Sequence, residues 1–243
     1  MFRVPVAAIL PLLCAGALAE EAATPPDQIV ENYCTATQFE QQSFDGASMQ
    51  VEIHASLPKL KKRGRLRGLR RISKLGRITY DHLVFDGDGT VKNQVIARYL
   101  NAEMEAQDRQ APKLAVTPAN YKFHYKTKAV LDGRPLYIFS VSPRKKRVGL
   151  FKGELWIDAA TYLPLLESGY WVKSPSIFLK KVAFTRRFEI RDGISVPRQV
   201  ASTVDTRIWG PAELEIDFTN FSVDGFPTEE SAPVPASADG DGQ

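Results

Sequence analysis

The stretch Phe188–Val200, FEIRDGISVPRQV, decides how the chain is read. Apolar Phe188 and Ile190 alternate with charged Glu189 and Arg191, the pair Asp192-Gly193 follows, and a second β-rich run resumes at Ser195. Alternation with period two sends successive side chains to opposite faces of a strand, and Asp-Gly supplies the positive-φ residues that a two-residue hairpin turn requires. The segment is therefore the corner of an antiparallel hairpin, with strands expected over Val182–Ile190 and Ser195–Val204.

The same turn chemistry recurs outward from that corner. Asp132-Gly133 separates expected strands at Tyr121–Leu131 and Leu136–Ser142, and Asp224-Gly225 follows another at Ala212–Phe221. In the last of these, Leu214, Ile216 and Phe218 alternate with Glu213, Glu215, Asp217 and Thr219, the pattern of a sheet with one wet face and one buried face. Similar runs at Met49–Leu57, Arg65–Ile72, Ile78–Phe85, Gly153–Ile157 and Leu163–Val172 complete an expected antiparallel meander. Two segments have helical spacing instead. Ile29, Val30, Tyr33, Cys34 and Thr37 share a face of the segment Asp27–Phe39, while Val91, Val95, Ile96, Tyr99, Leu100 and Met104 form a stripe within Val91–Gln107. Each stripe must be buried against something, and the inner face of a curved sheet is the natural partner. The expected fold class is thus mainly β (α+β), a large curved antiparallel sheet with a few covering helices.

DGDGT at Asp86–Thr90 has the alternating aspartates of a calcium loop, but Val91 stands where such a loop has glycine and Ala97 where it has its closing glutamate. A turn between elements fits better, and no metal or other cofactor is expected. Nor does any catalytic signature appear: no Gly-x-Ser-x-Gly, His-Glu-x-x-His, phosphate-binding or dinucleotide-binding pattern. His54, His82 and His124 fall in expected strands outside any motif, and Glu103 and Glu105, two apart on a helix, face different ways. The chain reads as a binding protein rather than an enzyme.

Residues 1–19, MFRVPVAAILPLLCAGALA, carry one early charge at Arg3, an apolar run, and small residues at Ala17 and Ala19, the pattern of a cleavable secretory signal peptide. The expectation is export to the periplasm of a bacterium, or secretion. Cys14 would leave with the leader, so that Cys34 alone remains and no internal disulfide can form. Cys34 reads as a small buried apolar group. The remaining organisation is an N-terminal helical segment at 20–45, one domain at 46–226 and an acidic disordered tail at 227–243, PTEESAPVPASADGDGQ, poor in residues that pack.

Charge is distributed unevenly. The chain has 32 basic and 28 acidic residues, net +4, yet PKLKKRGRLRGLRRISKLGR at 58–77 holds ten of the basic residues and no acidic one. Lys59, Lys61, Lys62 and Arg63 lead the run, followed by Arg65, Arg67, Arg70 and Arg71. Three readings remain open: a solvated basic face on an edge strand, contact with an anionic membrane surface, or a site for a protein partner of the envelope. Export makes nucleic acid an unexpected partner.

The motifs GRPLYIFSVSP, FKGELWIDAATYLPLLESGYW, FEIRDGISVPRQV and GPAELEIDFTNF together resemble the C-terminal half of the LolA-like superfamily of exported bacterial proteins. The resemblance lies in a strand ending at Leu155, Trp156, Ile157 and Asp158, then a turn through Thr161, Leu163 and Pro164 into the next strand. In topology it runs from Gly46 to Val223. It implies an open half-barrel with a helical lid and, as function, a carrier or receptor for a lipid or lipoprotein acyl chain, or an envelope sensor that binds partner proteins. Asp158 is expected to accept hydrogen bonds from the amides just beyond it, a structural role. Apolar side chains expected to line a ligand cavity are Val51, Ile53, Leu83, Phe85 and Tyr99. Leu100, Tyr137, Phe139, Leu155 and Ile157 extend that set on the neighbouring elements.

Overall fold

In a computed structural model of the chain, the residues described are 24–43, 46–73, 77–174, 179–207 and 210–223, without the side chains of 39–43, 105–112 and 179. The proposed leader, the acidic tail and the Asp224-Gly225 turn lie outside them. All ten expected strands form. They are β1 (Ala47–Leu57), β2 (Lys62–Ile72), β3 (Ile78–Gly87), β4 (Tyr121–Leu131), β5 (Arg134–Pro143), β6 (Phe151–Asp158), β7 (Pro164–Trp171), β8 (Leu179–Arg191), β9 (Ile194–Thr206) and β10 (Pro211–Val223). Helix α1 (Pro26–Ser43) precedes the sheet, and a helical run made of α2 (Gly89–Val91), a π segment (Lys92–Ile96) and α3 (Ala97–Leu114) links β3 to β4.

The strands make one antiparallel sheet in the order β3-β2-β1-β10-β9-β8-β7-β6-β5-β4. It is an open half-barrel: β3 and β4 are its two edges and do not pair with each other. The turns are those the sequence specifies. Asp132 and Asp192 take φ of 50° and 49°, each followed by a glycine at positive φ, so the β4–β5 and β8–β9 hairpins close through Asp-Gly as expected. Where β6 and β7 coil tightly, Gly153 lies opposite Gly169, and a Cβ on Gly153 would sit 1.8 Å from the Ser168 carbonyl oxygen. Only glycine permits that approach.

Because β3 and β4 lie at opposite edges, the chain between them must cross the mouth of the half-barrel. The run from Gly89 to Leu114 does so, long enough at 1.5 Å per residue to span roughly 39 Å. Asp88 starts it: the Asp88 carboxylate accepts from the Thr90 amide at 2.7 Å and from the Val91 amide at 3.4 Å, while Lys62 approaches it at 3.2 Å. The segment Asp86–Thr90 is therefore a strand-to-helix turn. Val91, Ile96 and Leu100 then pack on Val51, Ile53, Leu66, Leu214 and Ile216 as one core. A second core forms at the other end, where Ile29, Val30 and Tyr33 of α1 meet Tyr121, Phe139, Val141, Leu155 and Ile157.

The sheet order corrects one expectation. Strand β2 is not an edge strand; it is paired on both sides, with β1 and β3. The alternation of Arg65 and Arg67 around Leu66 was compatible with an edge, yet any strand with one wet face shows it. A bulge between the Arg67–Val84 and Leu69–Asp81 pairs, with His82 at φ 51°, shifts the register of the true edge, β3.

Candidate functional site

Ten strands about 4.8 Å apart make an arc of roughly 43 Å, whereas a helix with its side chains is about 10–12 Å across. Two helices cannot cover such a face. The α2–α3 run lies over β1, β2 and β10, whereas α1 packs on β4, β5, β6 and Phe184 of β8 and also approaches β9. Between the helices lies a groove of about 1280 Å³ that opens to solvent and is lined in part by β7, β8 and β9. One wall is α1, through Tyr33, Cys34 and Thr37, and the other is α3, through Tyr99 and Ala102. Pro164, Phe188, Pro197, Val200 and Phe218 contribute to the lining from the sheet, and Leu114 to Pro118 from the α3–β4 connection.

Two ion pairs interrupt this apolar lining. Arg70, only 6% exposed, donates from Nη2 to Glu103 of α3 at 2.9 Å. The Tyr80 hydroxyl donates to the other Glu103 oxygen, so Glu103 is held from β2 and β3 together. Burial is the largest single influence on Arg70 and works against its charge, but Glu103, Tyr80 and Tyr99 together outweigh it and leave the guanidinium more basic than usual. Burial beside the same carboxylate drives the Tyr80 and Tyr99 hydroxyls well above the ordinary phenol range. The second pair, Arg186 to Glu167 at 3.2 Å, joins residues directly opposite each other on β8 and β7, with the Arg186 guanidinium stacked 4.8 Å above the Phe184 ring. Glu167 is buried, whereas the Arg186 side chain is 42% exposed.

The expected lining residues are mostly elsewhere. Val51, Ile53, Leu100, Phe139, Leu155 and Ile157 are buried in the two cores beneath the helices, and Tyr137 is buried with them. Phe85 packs on Gly64 and Val91 at the edge of one core. Leu83 is a correction: it is 47% exposed at the rim, leaning over Gly68, which has no side chain to support it. Tyr99 alone of the ten lines the groove. Cys34 lines it too and is partly exposed rather than buried, with its thiol pushed up by burial and by the Glu31 carboxylate.

The basic stretch also divides in a way the composition could not show. Arg70 is not part of a surface patch, because even-numbered residues of β2 point into the half-barrel alongside Leu66. On the outer face, Arg65 pairs with Glu52 at 2.5 Å and Arg71 with Asp81 at 3.2 Å, while Lys62 is taken up by Asp88. Lys59, Lys61, Arg63 and Arg67 have no ion-pair partner among the described residues. The groove residues that the sequence reading missed are Arg70, Glu103, Glu167 and Arg186. A signal existed, since Arg70 shares its strand face with Leu66, and Arg186 shares one with Val182 and Phe184.

At Asp158 the expectation holds in detail. One carboxylate oxygen accepts from the Ala160 amide at 3.1 Å, the Thr161 amide at 2.8 Å and the Thr161 hydroxyl at 2.9 Å. Among the described residues, no three His, Cys, Asp or Glu side chains come together as a metal-binding group, and no helix is long and apolar enough to cross a membrane.

Fold and groove together define an open antiparallel half-barrel with helices laid across its concave face. Solved structures to which the chain is similar include a DUF1329 family protein from Desulfovibrio piger, 16% identical over 84% of this chain and 96% of that one, with a TM-score of 0.44. They also include a LolA superfamily protein from Nitrosomonas europaea, 13% identical over 84% of this chain and 96% of that one, TM-score 0.40. An outer membrane lipoprotein-sorting protein domain from Vibrio parahaemolyticus is 13% identical over 84% and 95%, TM-score 0.43. No protein-family model matches the chain, and no curated protein matches it in sequence.

Proposed function

We propose that the chain is a non-enzymatic periplasmic carrier or binding protein that holds an acyl chain of a lipid or a lipidated protein in the concave groove. The observation that carries this reading is the mostly apolar groove walled by α1 and α3 and lined from the sheet by β7, β8 and β9. Affinity in such a groove comes from apolar area removed from water, about 0.8 kcal/mol for each buried methylene. Each two-carbon extension of a bound chain therefore tightens binding by roughly tenfold until the groove is full. The test is uptake of an alkyl series by the mature chain, read by displacement of a fluorescent acyl probe and by native mass spectrometry. Stepwise tightening with chain length is the expected result, and failure of every alkyl chain to bind removes the proposal.

The outer face of β2 and the turn before it fit the same role. Lys59 and Lys61 of the turn and Arg63 and Arg67 of β2 have no ion-pair partner among the described residues and suit an anionic membrane surface where a carrier would collect or deliver its ligand. A second reading, an envelope protein-interaction or stress-sensing module, is supported by the edges. Strands β3 and β4 each leave one side unpaired among the described residues, with Val84 and Val130 exposed there, so a partner strand could add to the sheet.

A further inference from the structure

The groove has polar features that holding a hydrocarbon chain does not use. Arg70 is more than nine-tenths buried, yet among the described residues Nε has no hydrogen-bond partner and Nη1 meets only the Met49 sulfur at 3.7 Å. Buried guanidinium donors are normally satisfied, because an unmet one carries the full cost of its lost hydration. Arg186 spends Nη1 on Glu167 and presents its remaining donors on a side chain that is 42% exposed. Tyr99, Arg70 and Arg186 line the same groove. The carboxylates do not cancel this arrangement. Glu103 is already bound by Arg70 and Tyr80, and Glu167 is buried behind Arg186. What remains unspent on this side of the groove is donor capacity of a guanidinium kind, planar and matched to an oxyanion.

Resting on the reading that the groove holds an acyl chain, we propose that it selects acyl amphiphiles bearing an oxyanion head, a carboxylate or a phosphate, which Arg186 binds at the groove opening and Arg70 attracts from below. The apolar lining takes the chain, and the two arginines set which end of the ligand lies over β7 and β8.

The experiment uses the mature chain and three ligands of equal tail length: hexadecanoate, hexadecyl phosphate and hexadecanol. Protection of Cys34 from maleimide reports occupancy, since Cys34 lines the groove. One or both anions should bind about tenfold more tightly than hexadecanol, the size of one charge-assisted contact, and the ratio between them identifies the head group. Arg186→Gln should abolish that advantage while leaving hexadecanol affinity unchanged. Gln keeps an amide donor for the buried Glu167, and circular dichroism with a thermal melt checks that the variant is folded. Equal affinity for all three ligands overturns the proposal, as does an Arg186→Gln variant that weakens alcohol and acid alike. If hexadecanol binds but the anions gain nothing, only head-group selection fails. If none of the three is retained, the acyl-binding reading fails with it.

Discussion

Replacing Asp158 separates a structural turn from a functional one. Its carboxylate, 4% exposed, accepts three hydrogen bonds from Ala160 and Thr161, and these hold the connection between β6 and β7. A hydrogen bond to a charged acceptor contributes about 1.5–3 kcal/mol when both ends stay dry. Here the donors belong to Ala160 and Thr161, which are exposed and regain water once the carboxylate is gone. The loss is then closer to 1 kcal/mol for each bond, about 3 kcal/mol for Asp158→Ala. Asp158→Asn keeps a neutral acceptor in the same place and should cost about 1 kcal/mol. At roughly 2–4 °C per kcal/mol for a domain of this size, alanine lowers Tm by about 6–12 °C and asparagine by a few degrees. Urea titration measures both, with the midpoint moving and the slope unchanged. Alkyl-chain uptake by the folded protein should match the parent in each variant. An alanine variant within about 0.5 kcal/mol of the parent would refute the reasoning, as would asparagine as damaging as alanine.

Three other outcomes are expected. Gly153→Ala drives a methyl group into the Ser168 carbonyl across the β6–β7 pair and should cost about 3 kcal/mol or more in urea titration, since backbone cannot move aside as a side chain can. Burial raises the phenol pKa of Tyr80 and Tyr99, and that of Tyr121 to about 12. Folding thus favours their neutral forms, so the stabilisation is complete below about pH 10 and is lost as pH rises through the folded values. Ultraviolet titration should find Tyr80, Tyr99 and Tyr121 ionising late, and a single transition near pH 10 for all eight tyrosines would contradict this. Charge reversal at Lys61, Arg63 and Arg67, which have no ion-pair partners among the described residues, should weaken sedimentation with anionic vesicles by about tenfold or more at low salt. The same reversal at Arg65 and Arg71, engaged by Glu52 and Asp81, should weaken it less.

The fold was legible because the signals that specify it are local. Asp-Gly at 132 and 192 dictates two hairpins whatever the rest of the chain does, and period-two alternation in β10 marks a sheet with one buried face. The stripe Val91, Ile96, Leu100 marks a helix that must lie on that face, and it does. Strand order was not legible in the same way. Nothing in residues 62–72 says whether β2 has one neighbour or two, since wet-face arginines look alike on an edge strand and on an inner one.

The groove illustrates the same division more sharply. Alternation identifies which side chains face inward, but it does not say which inward residues a helix will cover. Val51, Ile53, Phe139 and Leu155 have the strongest inward apolar signal, and that strength is the reason they are not in the groove: the most apolar strips of the sheet are where the helices settle. What stays open is the strip with mixed chemistry, where Glu167 and Arg186 face inward beside Pro164 and Phe188. Glu167 is already buried, but a helix seated over this pair would have to desolvate the partly exposed Arg186 charge, at a cost of several kcal/mol, which disfavours closing the groove there. On this reasoning the inward charges are more than a place for a head group. Replacing Glu167 and Arg186 together by leucine should let α1 or α3 close over β7 and β8, shrinking the groove and reducing probe uptake while raising stability. A double variant that kept full uptake would show that something other than desolvation holds the helices apart.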